Sequence, residues 1–301
     1  MTAPEQRIEP PGGTAVLAGR PVARIGFGAM QLPGARVTGP PQDRNTALAV
    51  LRRAVELGVN HIDTAEYYGP HVANELIHAA LHPYPADLVL VSKVGANRDD
   101  QGGWIPAQRP EQLRSGVEDN LRSLAVDQLD VVNLRLHDRD DGHGDAVDFD
   151  SQLAEMVALR DEGKIGGIGV SNVTAEQLRQ ALPVGIACVQ NAYSLLDRSG
   201  EPIFELSCEH DVAWVPYFPL GSAFPNLPKV TENPAVIFAA TTLGATPAQV
   251  GLAWLLGHGP SVLIIPGTSS VEHLENNVGA GQVHLDPETV AVLDKLAATH
   301  G

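Results

Sequence analysis

The chain has 301 residues, 44% hydrophobic and 19% charged, with a formal net charge of -16 and a pI near 5.0. That length and apolar content suffice for a sizeable core, arranged as two domains or as one large α/β barrel. The acidic balance argues against a nucleic-acid partner, which needs clustered Lys and Arg. The N-terminal "MTAPEQRIEPPGG" (1–13) is polar and Pro-rich, has no signal core and is expected to be flexible. No stretch reaches the roughly 18 apolar residues of a membrane helix. Cys188 and Cys208 are too few for a disulfide framework; they suit a reducing, cytoplasmic setting and are expected to be packed core thiols.

In chain order, "ARIGFG" (23–28) reads as a strand, and "DRNTALAVLRRAVELG" (43–58) has apolar residues at helical spacing with Gly58 as a stop. Strand-like "VNHID" (59–63), helical "VANELIHAALH" (72–82), strand "DLVLVSKVG" (87–95) and helix 110–126, with Pro110 at its start, come next. The pattern continues with strand 129–138, helix 150–164, strand 165–172, helix 174–182, strand 185–191 and helix 201–211. Strand 212–221, helix 246–259, strand 261–267 and helix 269–280 complete it. The N-terminal "TAVLAGRPVARIG" looks like an extra hairpin at the barrel bottom, and "LDPETVAVLDKLAATH" (285–300) is an extra terminal helix.

About eight strand–helix units with no composition break imply a parallel sheet. At this length they favour a single-domain (β/α)8 TIM barrel over residues 1–301, with an N-terminal β-hairpin and extra C-terminal helices. A doubly wound dinucleotide fold lacks its fingerprint: "GFGAMQ" breaks G-x-G-x-x-G at Gln31 and "GIGVSN" at Asn172, and no P-loop is present.

Barrel chemistry gathers where strands end at their C-terminal face. The strand ends supply Asp63 with Tyr68 just beyond, Lys93, His137, Ser171 with Asn172, Gln190 with Asn191, Tyr217, and Gly267, Thr268 and Ser269. Each alone has an ordinary reading: an Asp opening a loop is often a cap, a Tyr is usually core, and a terminal Lys or His is often a solvated edge. Together they would converge on one mouth. His61, Glu66 and His71 match no metal-ligand spacing and are expected to be structural; no metal is expected.

The segments "HIDTAEYYG", "LVSKVG", "LRLHD", "GVSN", "VQNAYS", "PYFPLG" and "IPGTSSVEHLENN" resemble the successive motifs of the aldo-keto reductases from about residue 20 to 298. Within that family, "GFGAMQLPG", "GVNHIDTAEYYGPHVANELI", "LHPYPADLVLVSKVG" and "GTSSVEHL" look closest to a bacterial branch similar to pyridoxal reductase (pyridoxine 4-dehydrogenase). The resemblance implies hydride transfer from a reduced nicotinamide to an aldehyde or ketone, with Tyr68 as proton donor. Lys93 would favour release of the phenol's proton, Asp63 would hold Lys93, and His137 would bind the carbonyl.

For the cofactor, the resemblance places Ser171, Asn172 and Gln190 on the nicotinamide carboxamide and Tyr217 on the ring. Leu220, Gly221 and Ser222 lie along the pyrophosphate, while Gly267, Thr268 and Ser269 open a helix whose amides suit an anion. Ser269 to Glu272 also reads as a capping box. Many relatives carry a Lys after "IP" and an Arg six residues later for the 2′-phosphate; here those places hold Gly267 and His273, so Ser269, Ser270, His273 and Asn277 are the candidates. NADPH is the expected cofactor, and NADH use stays open.

The connections 96–110, 138–150 and 222–235 are long, and such loops set specificity. Phe27, Met30, Trp104 and Phe224 are candidate substrate walls. The acidic loops disfavour a strongly anionic substrate unless Arg98, Arg109 or Arg139 faces inward; an uncharged small-molecule carbonyl such as pyridoxal fits. Two alternatives stay open: a broad carbonyl or sugar-aldehyde reductase of secondary metabolism, and a cofactor-binding redox-sensing regulatory subunit. A barrel hydrolase lacks a second acidic strand end. Oligomeric state is not readable from the sequence.

Overall fold

In the computed structural model, residues 9–137, 147–221 and 228–296 are described. Expectations resting on Ser222, Phe224, Arg139 and residues 1–8 and 297–301 lie outside them.

The chain opens with an antiparallel hairpin, β1 (Thr14–Leu17) and β2 (Arg20–Ala23), turned at Ala18 and Gly19, both at positive φ. The α/β body follows as β3 (Phe27–Gly28), α1 (Arg44–Glu56), β4 (His61–Asp63), α2 (Val72–Leu81) and β5 (Val89–Val94). Next come a small hairpin, β6 (Ala96–Arg98) and β7 (Trp104–Pro106), then α3 (Pro110–Leu124), β8 (Leu129–Arg135), α4 (Phe149–Asp161), β9 (Ile165–Ser171), α5 (Ala175–Ala181) and β10 (Ile186–Gln190). The chain continues as α6 (Glu201–Glu209), β11 (Ala213–Trp214), α7 (Pro234–Leu243), α8 (Pro247–Leu256), α9 (Val271–Gly279) and α10 (Pro287–Leu293). Helices start where local chemistry satisfies their first amides. Asp43 accepts from Asn45 and Thr46 at α1, while Thr174 and Thr246 form capping boxes with Gln177 and Gln249 at α5 and α8.

Seven strands form one parallel sheet in the order β11-β10-β9-β8-β5-β4-β3. The stretch expected as an eighth strand, 261–267, has no continuous ladder, but it meets both sheet edges. Val262 bridges Trp214, Ile264 bridges Ile25, and the Gly26 amide donates to the Ile264 carbonyl at 2.8 Å. The sheet is curled enough for one short segment to touch its two edge strands.

The two-residue period of the strands divides the core into two layers. Val89, Val91, Val131, Cys188, Ala213, Val215, Leu263 and Ile265 form the inner cluster, and Leu17 and Val22 of the N-terminal hairpin close its base. Arg20 pairs with Asp130 there. The larger outer cluster packs strands against helices through residues such as Ile62, Leu90, Val132, Leu113 and Leu159.

Three expectations change. Residues 234–243, where the sequence pattern predicts no element, form helix α7, capped by Asn233. The 96–110 connection folds as the β6–β7 hairpin, held by Asp99 Oδ1, which accepts from Gln101 and Gly103 amides at 2.9 and 2.7 Å. Cys188 is buried as expected, but Cys208 is exposed on α6. Among the described residues, no single helix is long and apolar enough to cross a membrane, and no three His, Cys, Asp or Glu side chains gather as metal ligands.

Candidate active site

Asp63 ends β4 and Lys93 lies one residue from the end of β5, both pointing inward by the pleat that also turns Val91 in. Their side chains are 4% and 6% exposed, so they meet as a buried ion pair. Lys93 Nζ also donates to the Thr64 carbonyl at 3.0 Å, and Gln190 Nε2 donates to Asp63 Oδ2 at 2.7 Å. Every polar partner of the carboxylate is therefore a donor, which is what a buried carboxylate needs. A network on the outer side braces the strand ends: Thr64 Oγ1 donates to Asn74, and Asn74 and Ser92 donate to Asn120.

Tyr68 sits in the loop after β4, tied to α2 by the Ala73 amide, which donates to its carbonyl at 3.1 Å. The Lys93 ammonium lies 5.1 Å from the centre of its ring. Burial pushes the Tyr68 phenol above its ordinary range and nearby Asp63 adds to this; Arg135 and Arg98 oppose it. The group is held as a protonated phenol.

Asp63, Tyr68, Lys93 and His137 line one cavity of about 500 Å³ with Met30, Trp104, Ser171, Tyr217, Leu220, Gly221 and Gly267. The structure thus brings together the four expected catalytic side chains, two of the expected substrate walls and part of the expected cofactor set. Trp104 arrives on the β6–β7 hairpin. Arg98 fixes that hairpin by donating to the carbonyls of Gly102 at 2.6 Å and Val37 at 2.9 Å, with its guanidinium 3.6 Å over the Trp104 ring.

Tyr217 donates to Asn172 Oδ1 at 2.5 Å, and Asn172 in turn donates to the Leu136 carbonyl at 3.2 Å. Three residues around this corner, Asn172, Phe218 and Gly221, hold positive φ. At Gly221 a Cβ would come within 2.2 Å of the Pro228 carbonyl, so only glycine lets the chain pass. Gln190 does not line the cavity: it is fully buried behind Asp63, and its Oε1 has no hydrogen-bond partner among the described residues. Thr268 and Asn277 are buried, and Ser269 lines a neighbouring cleft. The cap of α9 is Ser270, which accepts from His273 N at 3.4 Å, one residue later than the capping box read at Ser269.

Phe27 does not reach the cavity. It is fully buried in the outer cluster, because Gly26 and Gly28 take the inward positions of β3 and its neighbour. Arg98 and Arg109 do not line the cavity either: Arg98 holds backbone carbonyls, and Arg109 pairs with exposed Glu111. Of the other residues around Tyr68, His61 is fully buried beneath Asp63, and burial lowers it to about 4. Glu66 is raised to about 7 by burial and by Asp119, while His71 is exposed at the start of α2.

Arg135, Tyr67, Phe218, Gly28 and Gln31 also line the cavity and were not anticipated. The signal for Arg135 was available: Val131, Asn133 and Arg135 alternate inward along β8, two residues apart, and His137 continues the row.

The family model described as the aldo/keto reductase family matches residues 24–298. Pyridoxine 4-dehydrogenase of Escherichia coli K12 is 45% identical over 286 residues, covering 94% of this chain and 98% of that protein. Two structures of Klebsiella pneumoniae aldo-keto reductase, one in complex with NADP and acetate and one with NADPH, are each 29% identical. They superpose with TM-scores of 0.77 and 0.78 over 94% of this chain and 95% and 94% of theirs.

Proposed function

The chain belongs to the aldo/keto reductase family, and from that premise we propose that it reduces an aldehyde or ketone to the alcohol with NADPH, Tyr68 delivering the proton to the carbonyl oxygen. The observation that carries this reading is the convergence of Tyr68, the Asp63–Lys93 pair and His137 on one cavity. When bound, the reduced nicotinamide would supply the hydride for the carbonyl carbon. The protein's part is to hold the carbonyl oxygen against the Tyr68 hydroxyl, to keep that phenol protonated until the oxygen becomes basic, and to exclude water behind aromatic walls. Tyr217, Asn172, Ser171 and Gln190 would hold the nicotinamide end, a fit supported by Ser171 and Tyr217 on the cavity wall and by the bond from Tyr217 to Asn172. Ser269, Ser270, His273 and Asn277 are the candidates for the 2′-phosphate.

The same reading takes the chain as one domain and the curled sheet, with residues 262 and 264 bridging its edges, as a closed (β/α)8 barrel. The two free cysteines suit a reducing compartment such as the cytoplasm.

Pyridoxal is the first substrate to try, since a relative 45% identical is a pyridoxine 4-dehydrogenase. The test follows NADPH and NADH at 340 nm with pyridoxal beside simple aldehydes and ketones, for wild type, Tyr68→Phe and His137→Ala. Tyr68→Phe is expected to lose turnover while still binding NADPH, and His137→Ala to lose turnover more than cofactor affinity. Cofactor binding without turnover on any carbonyl would replace this reading with a redox sensor.

A further inference from the structure

We propose that Arg135 is the substrate-selecting cation of the cavity, and that it favours aryl aldehydes bearing an anionic oxygen on the ring carbon next to the aldehyde. The inference rests on the carbonyl-reductase reading and names the substrate class of that same site.

Arg135 ends β8 with its side chain on the inner row, and it lines the cavity beside Tyr68, Lys93, Trp104 and His137. Its Nη1 lies 3.1 Å from His137 Nε2. A guanidinium only donates, so Nε2 accepts, and a neutral His137 ring then carries its proton on Nδ1. In this arrangement Nε2 offers no hydrogen to a carbonyl, while the remaining N–H groups of Arg135 do.

Among the described residues Arg135 enters no ion pair, and its side-chain hydrogen bond is with His137. The acid that lines the cavity among the described residues, Asp63, is already engaged by Lys93 and Gln190. The other groups that feel its charge are the phenols of Tyr67 and Tyr68. The Trp104 ring centre is 5.8 Å from its guanidinium carbon. A cation with no carboxylate partner among the described residues, in a cavity walled by Tyr67, Tyr68, Trp104, Tyr217 and Phe218, is suited to recognising an anion. The walls specify an aromatic ring. The planar fork specifies two neighbouring oxygens, the carbonyl that meets Tyr68 and an ionised hydroxyl beside it.

The test compares kcat/KM for salicylaldehyde, 2-methoxybenzaldehyde, 4-hydroxybenzaldehyde and benzaldehyde at pH 9 with NADPH. Wild type is expected to prefer salicylaldehyde over the other three by about tenfold or more, mainly through KM, as a charge-assisted hydrogen bond predicts. Arg135→Met is expected to collapse that ratio towards one, and Arg135→Lys to restore part of it. A wild type that takes 2-methoxybenzaldehyde as well as salicylaldehyde overturns the proposal without any variant. So does an Arg135→Met enzyme that loses the same factor on all four aldehydes, which marks a structural role. Turnover of none of the four, nor of pyridoxal, by wild type would instead sink the carbonyl-reductase reading.

Discussion

Removing Asp63 strands the Lys93 ammonium in a site where its side chain is 6% exposed. Breaking a buried pair by deleting one partner costs about 3–5 kcal/mol, because the remaining charge keeps its desolvation penalty and loses its compensation. Asp63→Ala is therefore expected to lose about that much, and Lys93→Met a similar amount, since Asp63 would keep only its bond from Gln190. The double variant strands no charge. Its residual cost is a small cavity and an unpaired Gln190 amide, about 1–3 kcal/mol. The double should thus be more stable than either single, and singles at about 3–5 kcal/mol each against a double at about 1–3 imply a coupling energy of at least about 3 kcal/mol. Urea unfolding at pH 7, followed by the fluorescence of Trp104, Trp214 and Trp254, measures all four proteins. Turnover should be lost in all three variants, which separates stability from chemistry. A double variant no more stable than Asp63→Ala would show that no charge is stranded, and the buried-pair account would fail.

Two further tests concern groups around the site. Folded Glu66 releases its proton near 7 rather than 4.5, so the folded state binds more protons between those values and stability falls as pH rises through them. A gap of about 2.5 pH units corresponds to at most about 3 kcal/mol, and Glu66→Gln should gain on wild type between pH 5 and 8 in urea unfolding; a constant difference would refute the assignment. A Cβ on Gly28 would sit 2.6 Å from the Ile265 carbonyl, so Gly28→Ala should cost about 1–3 kcal/mol in thermal unfolding. Gly259→Ala meets nothing within 4 Å and serves as the near-neutral control.

The parts of the fold legible in the sequence are those where one local signal dominates. Asp43, Thr174 and Thr246 announce their helices, and β-branched runs announce β5, β8 and β9. Helix α7 was missed because "PAVIFAATTL" is apolar almost throughout and shows no helical stripe; only its Asn233 cap gave a signal. The eighth strand position makes bridges rather than a ladder, a fact of tertiary closure that no local pattern encodes. In the site, Asp63, Tyr68, Lys93 and His137 were legible through motif order. The placing of Phe27 on a cavity wall and the absence of Arg135 from the expected site share one cause: motif order does not report the pleat. The pleat turns Phe27 outward between two inward glycines and sends Arg135 inward with Asn133 and Val131.

With Tyr68 in the proposed role of proton donor, its phenol sets how the two directions of the reaction respond to pH. Burial and Asp63 raise it above its ordinary value near 10, despite the opposing charges of Arg135 and Arg98. In reduction the phenol must be protonated, and it is so throughout neutral and mildly alkaline solution. The forward kcat/KM should therefore show no loss with a midpoint below pH 10 that belongs to this residue. In alcohol oxidation the same oxygen must accept a proton, which requires the phenolate. Oxidation should then rise tenfold per pH unit across pH 7–9, because the reactive fraction grows by that factor while the group lies far above ambient pH. Initial rates in both directions, run with Glu66→Gln to remove the group near 7, would check this. An oxidation rate that levels off below pH 8 would mean that a cation, Arg135 or Lys93, outweighs burial once the site is filled, and the proton would then be held less firmly than the buried phenol implies.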